Sequence, residues 1–336
     1  MSNATHETAP TEFVQVGGVR FAYRRFGRPG DLPLLLLNHL AATLDDWDPL
    51  VTKGLASERE VILFDNAGIG SSTGDTPPTV AAMTKDCVDF CRALDLMSFD
   101  VMGFSLGGMI AQQLAQDHPD MIRRIILLGA GPRGGEGMTF TELSADELDD
   151  PVALVMGAFF TPSEASQAAG RAYIERLKVR TADRDAPISK KAAGAQVEAI
   201  REWGAIPSTN RYAMLDRIRQ PALVVHGNKD VVVTPINAFI LAQHLPNAQL
   251  VMYPDASHGA QSQHAAVFLE HARMFLTNEP QGRCCAMSAS GGAPVSGLGA
   301  IRTVRAKGRS VSPPTLQIHL ILVNEHGSGS CSVTSR

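Results

Sequence analysis

The chain has 336 residues, 44% of them hydrophobic and 19% charged, enough apolar content to fill a sizeable core and too much for a mainly disordered chain. Its formal net charge of −4 leaves no basic surplus to neutralise phosphates, so nucleic acid is not an expected partner. Five cysteines form no CxxC pairs and no Cys/His array, which argues against a zinc ribbon or a disulfide framework and for a reducing, cytoplasmic setting.

The first residues, MSNATHETAPTEF, lack a cationic start followed by an apolar run, and no stretch is long and apolar enough to span a membrane. A soluble, non-exported protein is expected, its oligomeric state left open. Residues 13–27 form two period-2 runs around Gly17-Gly18 and predict an opening β-hairpin. Short apolar runs follow at 34–37, 61–64, 101–104, 124–128, 222–226 and 249–253, as expected of strands buried on both faces. Helical patterns lie between them at Val80–Leu94, Leu106–Asp117, Pro235–Leu245 and Gln263–Leu276. Cys87 and Cys91, one helical turn apart, read as small residues on a buried face.

This alternation predicts an α/β fold, a mostly parallel sheet flanked by helices. The core spans 13–131 and 217–278 after a flexible 1–12, and the strand signal is interrupted at 132–216 by Ala-, Arg- and Glu-containing helical stretches. An insertion of that length between two strands is expected to be a helical lid. Every Phe, Tyr and Trp precedes Pro280, and the Gly/Ser/Pro-rich stretch that follows carries six Lys/Arg against one Glu. Residues 279–336 are therefore expected to be a disordered tail, with LQIHLILV (316–323) as its one candidate strand.

The chemistry is concentrated at Val101–Gly108, where Ser105 sits in a G-x-S-x-G frame between an apolar strand and a helical pattern. A sharp strand-to-helix turn pushes the apical side chain out of the sheet, and glycine at 103 and 107 removes the Cβ atoms that would clash there. The hydroxyl then lies at a helix N-terminus, which favours developing negative charge. A serine nucleophile needs a base, and the base an orienting acid. Asp230 follows the strand ALVVH, and His258 follows the strand QLVMY. Ser105, Asp230 and His258 thus occur in the order nucleophile, acid, base, each at the carboxyl end of a predicted parallel strand. Asp255, three residues before His258, is a competing acid. DNAGIGSS (65–72) lacks the G-x-G-x-x-G pattern and reads as a structural turn. Methionines 102, 109, 138, 156 and 214 suit either core filling or an apolar acyl pocket.

With G-F-S-L-G-G, H-G-N-K-D-x-x-x-x-P, S-H-G, F-D-N-A-G-I-G-S-S and L-L-N-H-L…W-D-P in place, residues from about 13 to 278 resemble the α/β-hydrolase family, in its esterase and cofactor-free haloperoxidase-like branch with a helical lid. The resemblance implies a serine hydrolase that cleaves a small, fairly apolar carboxylic ester or lactone through an acyl-enzyme on Ser105. Its oxyanion would be held by the backbone N–H groups of Leu106 and Leu40, with no metal or organic cofactor. Such families usually carry His-Gly where this chain has Asn38-His39, so His39 replaces the expected glycine and either touches the site or is satisfied by backbone behind the loop. A perhydrolase using the same triad and a non-catalytic ligand-binding protein are the alternative functions. In the lid, Met156, Phe159, Phe160 and Trp203 are the candidates for an apolar ceiling over the site.

Overall fold

The structure is a computed structural model, and it describes residues 4–30, 32–138, 150–207 and 209–277. Strands β1 (Glu12–Val16) and β2 (Val19–Gly27) form the expected hairpin, with Val16 opposite Val19 and both turn glycines at positive φ. Five strands follow in β3 (Leu34–Leu37), β4 (Glu60–Phe64), β5 (Phe99–Phe104), β6 (Ile122–Leu128) and β7 (Ala222–Gly227), and β8 (Ala248–Tyr253) closes the sheet. Their spatial order is β1-β2-β4-β3-β5-β6-β7-β8, with β3 to β8 parallel and β2 antiparallel to both its neighbours.

The alternation of side chains along each strand divides the core between the two faces of this sheet. In β3, Leu35 and Leu37 point to one apolar cluster and Leu34 and Leu36 to the other, all four essentially without solvent contact. A strand buried on both faces has no polar position to spare, which is why the sequence there reads as an unbroken run of leucine.

Helices α1 (Pro49–Ala56), α2 (Val80–Ala93) and α3 (Leu106–Asp117) precede an insertion between β6 and β7 containing α4 (Pro151–Phe159), α5 (Glu164–Leu177) and α6 (Lys190–Gly204). After β7 come α7 (Ile236–His244), α8 (Ala260–Gln263) and α9 (Ala265–Thr277). One cluster joins α2, α3, α6 and α7, and the other joins α1, α9, Phe159, Phe160 and Tyr173. The insertion therefore contributes residues to the core on both faces of the sheet.

Two elements differ from the sequence reading. Helix α1 is additional: its eight residues follow Asp48, whose carboxylate caps the Leu50 N–H, and Pro49 occupies the first turn. So short a helix, with Gly54 inside it, carries little periodic signal. The pattern from Gln263 to Leu276 is broken at His264, which separates α8 from α9. The insertion is helical at each of the three described stretches where helix was expected, and Cys87 and Cys91 are buried and unpaired. Expectations for residues 139–149 and 278–336, the LQIHLILV strand among them, fall outside the described residues.

Candidate active site

Strand β5 runs into α3 through Ser105 alone, whose backbone adopts φ 53° and ψ −113°. A non-glycine residue in this sparsely populated region costs about 1–3 kcal/mol and persists only where its surroundings fix it. Those surroundings are close. A Cβ on Gly103 would lie 2.2 Å from the Gly107 carbonyl oxygen, and one on Gly107 would lie 2.0 Å from that of Leu37, so glycine at 103 lets α3 start close against β5 and glycine at 107 lets it pack on β3. The Ser105 N–H donates to the Leu128 carbonyl at 2.8 Å, which ties the turn to the end of β6. The Leu106 N–H opens α3, among the first-turn donors that have no intrahelical acceptor.

Asp230 and His258 meet on the adjoining loops. His258 Nδ1 lies 2.9 Å from Asp230 Oδ2, and the His258 ring packs on Phe104, the residue before Ser105, at 5.0 Å between centroids. Asp230 is 4% exposed, His258 3% and Ser105 5%. The Asp230 carboxylate is held from four directions. Its Oδ1 accepts the N–H groups of Val232 at 2.8 Å and Val233 at 2.9 Å, while His226 Nε2 lies 3.1 Å from Oδ2. Burial alone would raise its pKa, but the His258 charge and the hydrogen bonds from His226 and His258 outweigh it and hold the carboxyl well below the usual range.

Asp255 faces elsewhere. Its carboxylate accepts from Thr161 at 2.9 Å, Ser163 at 2.5 Å and Lys229 at 3.0 Å, so it anchors the insertion, and the carboxylate that meets His258 is that of Asp230. Sequence reading gave His226 no role. The only signal for it is the buried histidine at the end of an otherwise apolar strand, four residues before Asp230.

The β3 loop carries the second expected oxyanion donor. Asn38 bridges this loop, donating its amide to the Thr43 carbonyl and accepting the His39 N–H at 3.1 Å. Ala41 takes φ 59°, and its N–H donates to Gln196 Oε1 of α6 at 2.8 Å. The Leu40–Ala41 peptide is thereby fixed by a side chain of the insertion, a link the sequence reading did not anticipate. The His39 ring stands edge-on to Phe104 at 4.9 Å and to Phe159 at 5.2 Å, within the site and not behind the loop. Burial lowers its pKa to about 4, and the charge on His258 adds to the shift, so the imidazole is neutral at physiological pH.

The end of α4 contacts the loop that carries His258. At the end of α4, the Ala158 carbonyl accepts the Ser257 hydroxyl at 2.7 Å and the His258 N–H at 3.3 Å, and the Phe159 carbonyl accepts the Gly259 N–H at 3.0 Å. The Phe159 ring lies 5.6 Å from that of His258 and 5.3 Å from that of Phe104. Phe160 turns away to pack on Tyr173 at 5.8 Å, and Met156 packs beside it around Gly170. Trp203, near the end of α6, is fully buried in the core cluster shared with α2 and α3 and donates to the Gly131 carbonyl at 3.2 Å. Of the four apolar residues expected to form a ceiling, Phe159 is the one in contact with His258. Met102, Met109 and Met138 fill the core, and Met156 and Met214 pack at its margins.

Among the described residues no group of His, Cys, Asp or Glu is arranged to hold a metal ion, and no helix is long and apolar enough to cross a membrane. The family model of the alpha/beta hydrolase fold matches residues 33–265, which include Ser105 and Asp230 as well as His258. The chain belongs to the α/β-hydrolase fold family. An alpha/beta hydrolase fold protein from Chitinophaga pinensis is 44% identical and superposes with a TM-score of 0.78 over 82% of this chain and 100% of its own. A poly(3-hydroxyalkanoate) depolymerase from Ectopseudomonas oleovorans is 30% identical over 239 residues, 69% of this chain and 80% of the relative. Est816, described as an N-acyl homoserine lactone degrading enzyme, is 25% identical with a TM-score of 0.58 and covers 79% of this chain and 100% of its own. As an α/β-hydrolase the chain has ester- and lactone-cleaving relatives, and hydrolysis of an ester is consistent with its membership.

Proposed function

We propose that this α/β-hydrolase is a serine esterase or lactonase acting on a small, fairly apolar substrate. The observation that carries the reading is the hydrogen-bonded His258–Asp230 pair packed against the strained turn that carries Ser105. His258 Nε2 takes the hydroxyl proton as Ser105 Oγ bonds to the carbonyl carbon, and the carbonyl electron pair moves onto an oxygen facing the Leu106 and Leu40 N–H groups. The tetrahedral species collapses, the alkoxide leaves with the proton from His258, and water repeats the sequence to release the acid and restore Ser105. Asp230 fixes the tautomer in which Nδ1 carries a proton and stabilises the imidazolium. The chemistry needs only these residues and water.

Phe104 and Phe159 favour an apolar acyl group beside the serine. The helical insertion acts as a lid in this reading, with Phe159 packed against His258. A reducing cytoplasm suits the unpaired Cys87 and Cys91. The test is a serine-directed phosphonate read by intact mass. Stoichiometric labelling of the wild type and none of Ser105→Ala supports the nucleophile. An unlabelled wild type, with no turnover of short p-nitrophenyl esters, would leave a ligand-binding protein on this fold. Peracid formation from acetate and hydrogen peroxide at a rate exceeding ester hydrolysis would favour the perhydrolase instead.

A further inference from the structure

The residue that stands where glycine is expected in the β3 loop presents an unused hydrogen-bonding atom to the site. His39 Nδ1 lies 2.9 Å from the Leu40 carbonyl oxygen. A carbonyl can only accept, so Nδ1 carries the proton and Nε2 is left as a bare lone pair. Nε2 is buried and has no partner among the described residues. It lies across the ring from Nδ1, on a ring flanked by Phe104 and Phe159 and close enough to His258 to feel its charge. The ring's aromatic neighbours, Phe104 and Phe159, offer that atom no donor. Burial keeps the ring neutral, so at physiological pH this atom accepts and does not donate.

A buried acceptor without a donor is unfavourable, and the partner that relieves it must bring an N–H or O–H. In the proposed reading the substrate carbonyl sits at the Leu40 N–H, one residue along the chain from His39, so the adjoining acyl chain is the part of a substrate within reach of that ring. We propose that His39 Nε2 is a specificity element that accepts a hydrogen bond from a hydroxyl on the acyl chain, so that the preferred substrates are esters or lactones of short hydroxy acids. This rests on the serine-hydrolase reading and extends it. The same lone pair opposes a carboxylate on the acyl chain, because an anion would face a second acceptor. A site built to hydrogen-bond a substrate hydroxyl discriminates strongly against the analogue that lacks it, since the buried group is then left unpaired.

The experiment compares kcat/KM for the p-nitrophenyl esters of butyric, 2-hydroxybutyric and 3-hydroxybutyric acids on the full chain. The wild type is expected to favour one hydroxy ester over butyrate by about tenfold or more. His39→Phe, which keeps an aromatic ring but removes the acceptor, should bring that ratio close to one, and His39→Gln, which keeps an acceptor, should restore part of it. A wild-type ratio near one for both hydroxy esters overturns the inference and leaves the esterase standing. So does a high ratio that survives in folded His39→Phe. Labelling by the phosphonate without turnover of any of the three esters overturns the substrate class but not the nucleophile. Absence of both labelling and turnover removes the serine-hydrolase reading, and the inference with it.

Discussion

Gln196, on the last helix of the insertion, accepts the Ala41 N–H at 2.8 Å and so reaches into the loop that carries the expected oxyanion donor Leu40. Gln196 is 1% exposed, and Ala41 is held at a positive φ that alanine seldom adopts. Helix α6 and the β3 loop are distant in sequence, and this bond ties the Leu40–Ala41 peptide, the neighbour of the peptide that carries the Leu40 N–H, to the insertion. Replacing Gln196 by Leu should lower kcat by about 10- to 100-fold with a smaller change in KM, because a misaimed oxyanion donor is felt mainly in the transition state. Steady-state kinetics on a short ester checks it, with circular dichroism to confirm that α6 is intact. A change confined to KM would show that the bond shapes binding alone.

The two candidate acids have different partners, so their variants should fail differently. Asp230→Asn should reduce ester turnover by about 10³- to 10⁴-fold while leaving the fold in place, since the amide no longer favours the required histidine tautomer. Asp255→Asn should retain turnover within a few fold and instead lower the melting temperature, because it weakens the contacts to Thr161, Ser163 and Lys229. Paired kinetics and thermal melts separate the outcomes, and a dead Asp255→Asn enzyme with a normal melting curve would reverse the assignment.

Adjacent phenylalanines offer a second contrast. Phe159 contacts His258, His39 and Phe104, whereas Phe160 is buried against Tyr173 within the insertion. Phe159→Ala should shift the acyl-length profile toward longer chains and speed phosphonate labelling of Ser105, by opening the cover over the site. Phe160→Ala should cost about 3–5 kcal/mol of stability, as expected of a large core truncation, and keep the order of acyl-length preference. Should the two variants show the same profile, the cover is not local to Phe159.

His6 and Asp65 make opposed contributions to the acid side of the stability curve, and His39 acts in the same sense as His6. Burial, aided by the Arg24 charge, lowers the pKa of His6 to about 4 from an ordinary 6.5. Between those values the unfolded chain binds a proton that the native state refuses, so stability falls as pH drops from about 6.5 toward 4, by about 2 kcal/mol between pH 6.5 and 5. Asp65 works the other way. Burial and the neighbouring Asp185 push its carboxyl well above the ordinary value, so the native state keeps a proton that the unfolded chain has released, and stability is lost as pH rises toward that raised value. The rise in melting temperature between about pH 5 and pH 7 should therefore be smaller in His6→Gln and larger in Asp65→Asn than in the wild type. Calorimetry at the two pH values checks both signs.

What the sequence determined by itself was the periodic and punctuated part of the molecule. The unbroken leucines of β3 and the other short apolar runs marked a parallel sheet, because a strand covered on both faces has no polar position to break the run. Ser105 was legible because its strained turn needs glycine at 103 and 107, a requirement written into adjacent residues. Asp230 and His258 were legible as ends of strands. The tertiary structure alone decided the contacts between groups distant along the chain, which leave no local periodicity. It brought the carboxylate of Asp230, and not that of Asp255, to His258 Nδ1, and it set His226 beside the same carboxylate. It also bonded Gln196 to the Ala41 N–H and sent Phe159 to His258 and Phe160 away from it, since the turn of a helix end separates neighbouring side chains that composition treats alike. His39 stood out in the sequence as an oddity in its loop, but only the ring's neighbours and the carbonyl beside Nδ1 reveal which nitrogen is left bare.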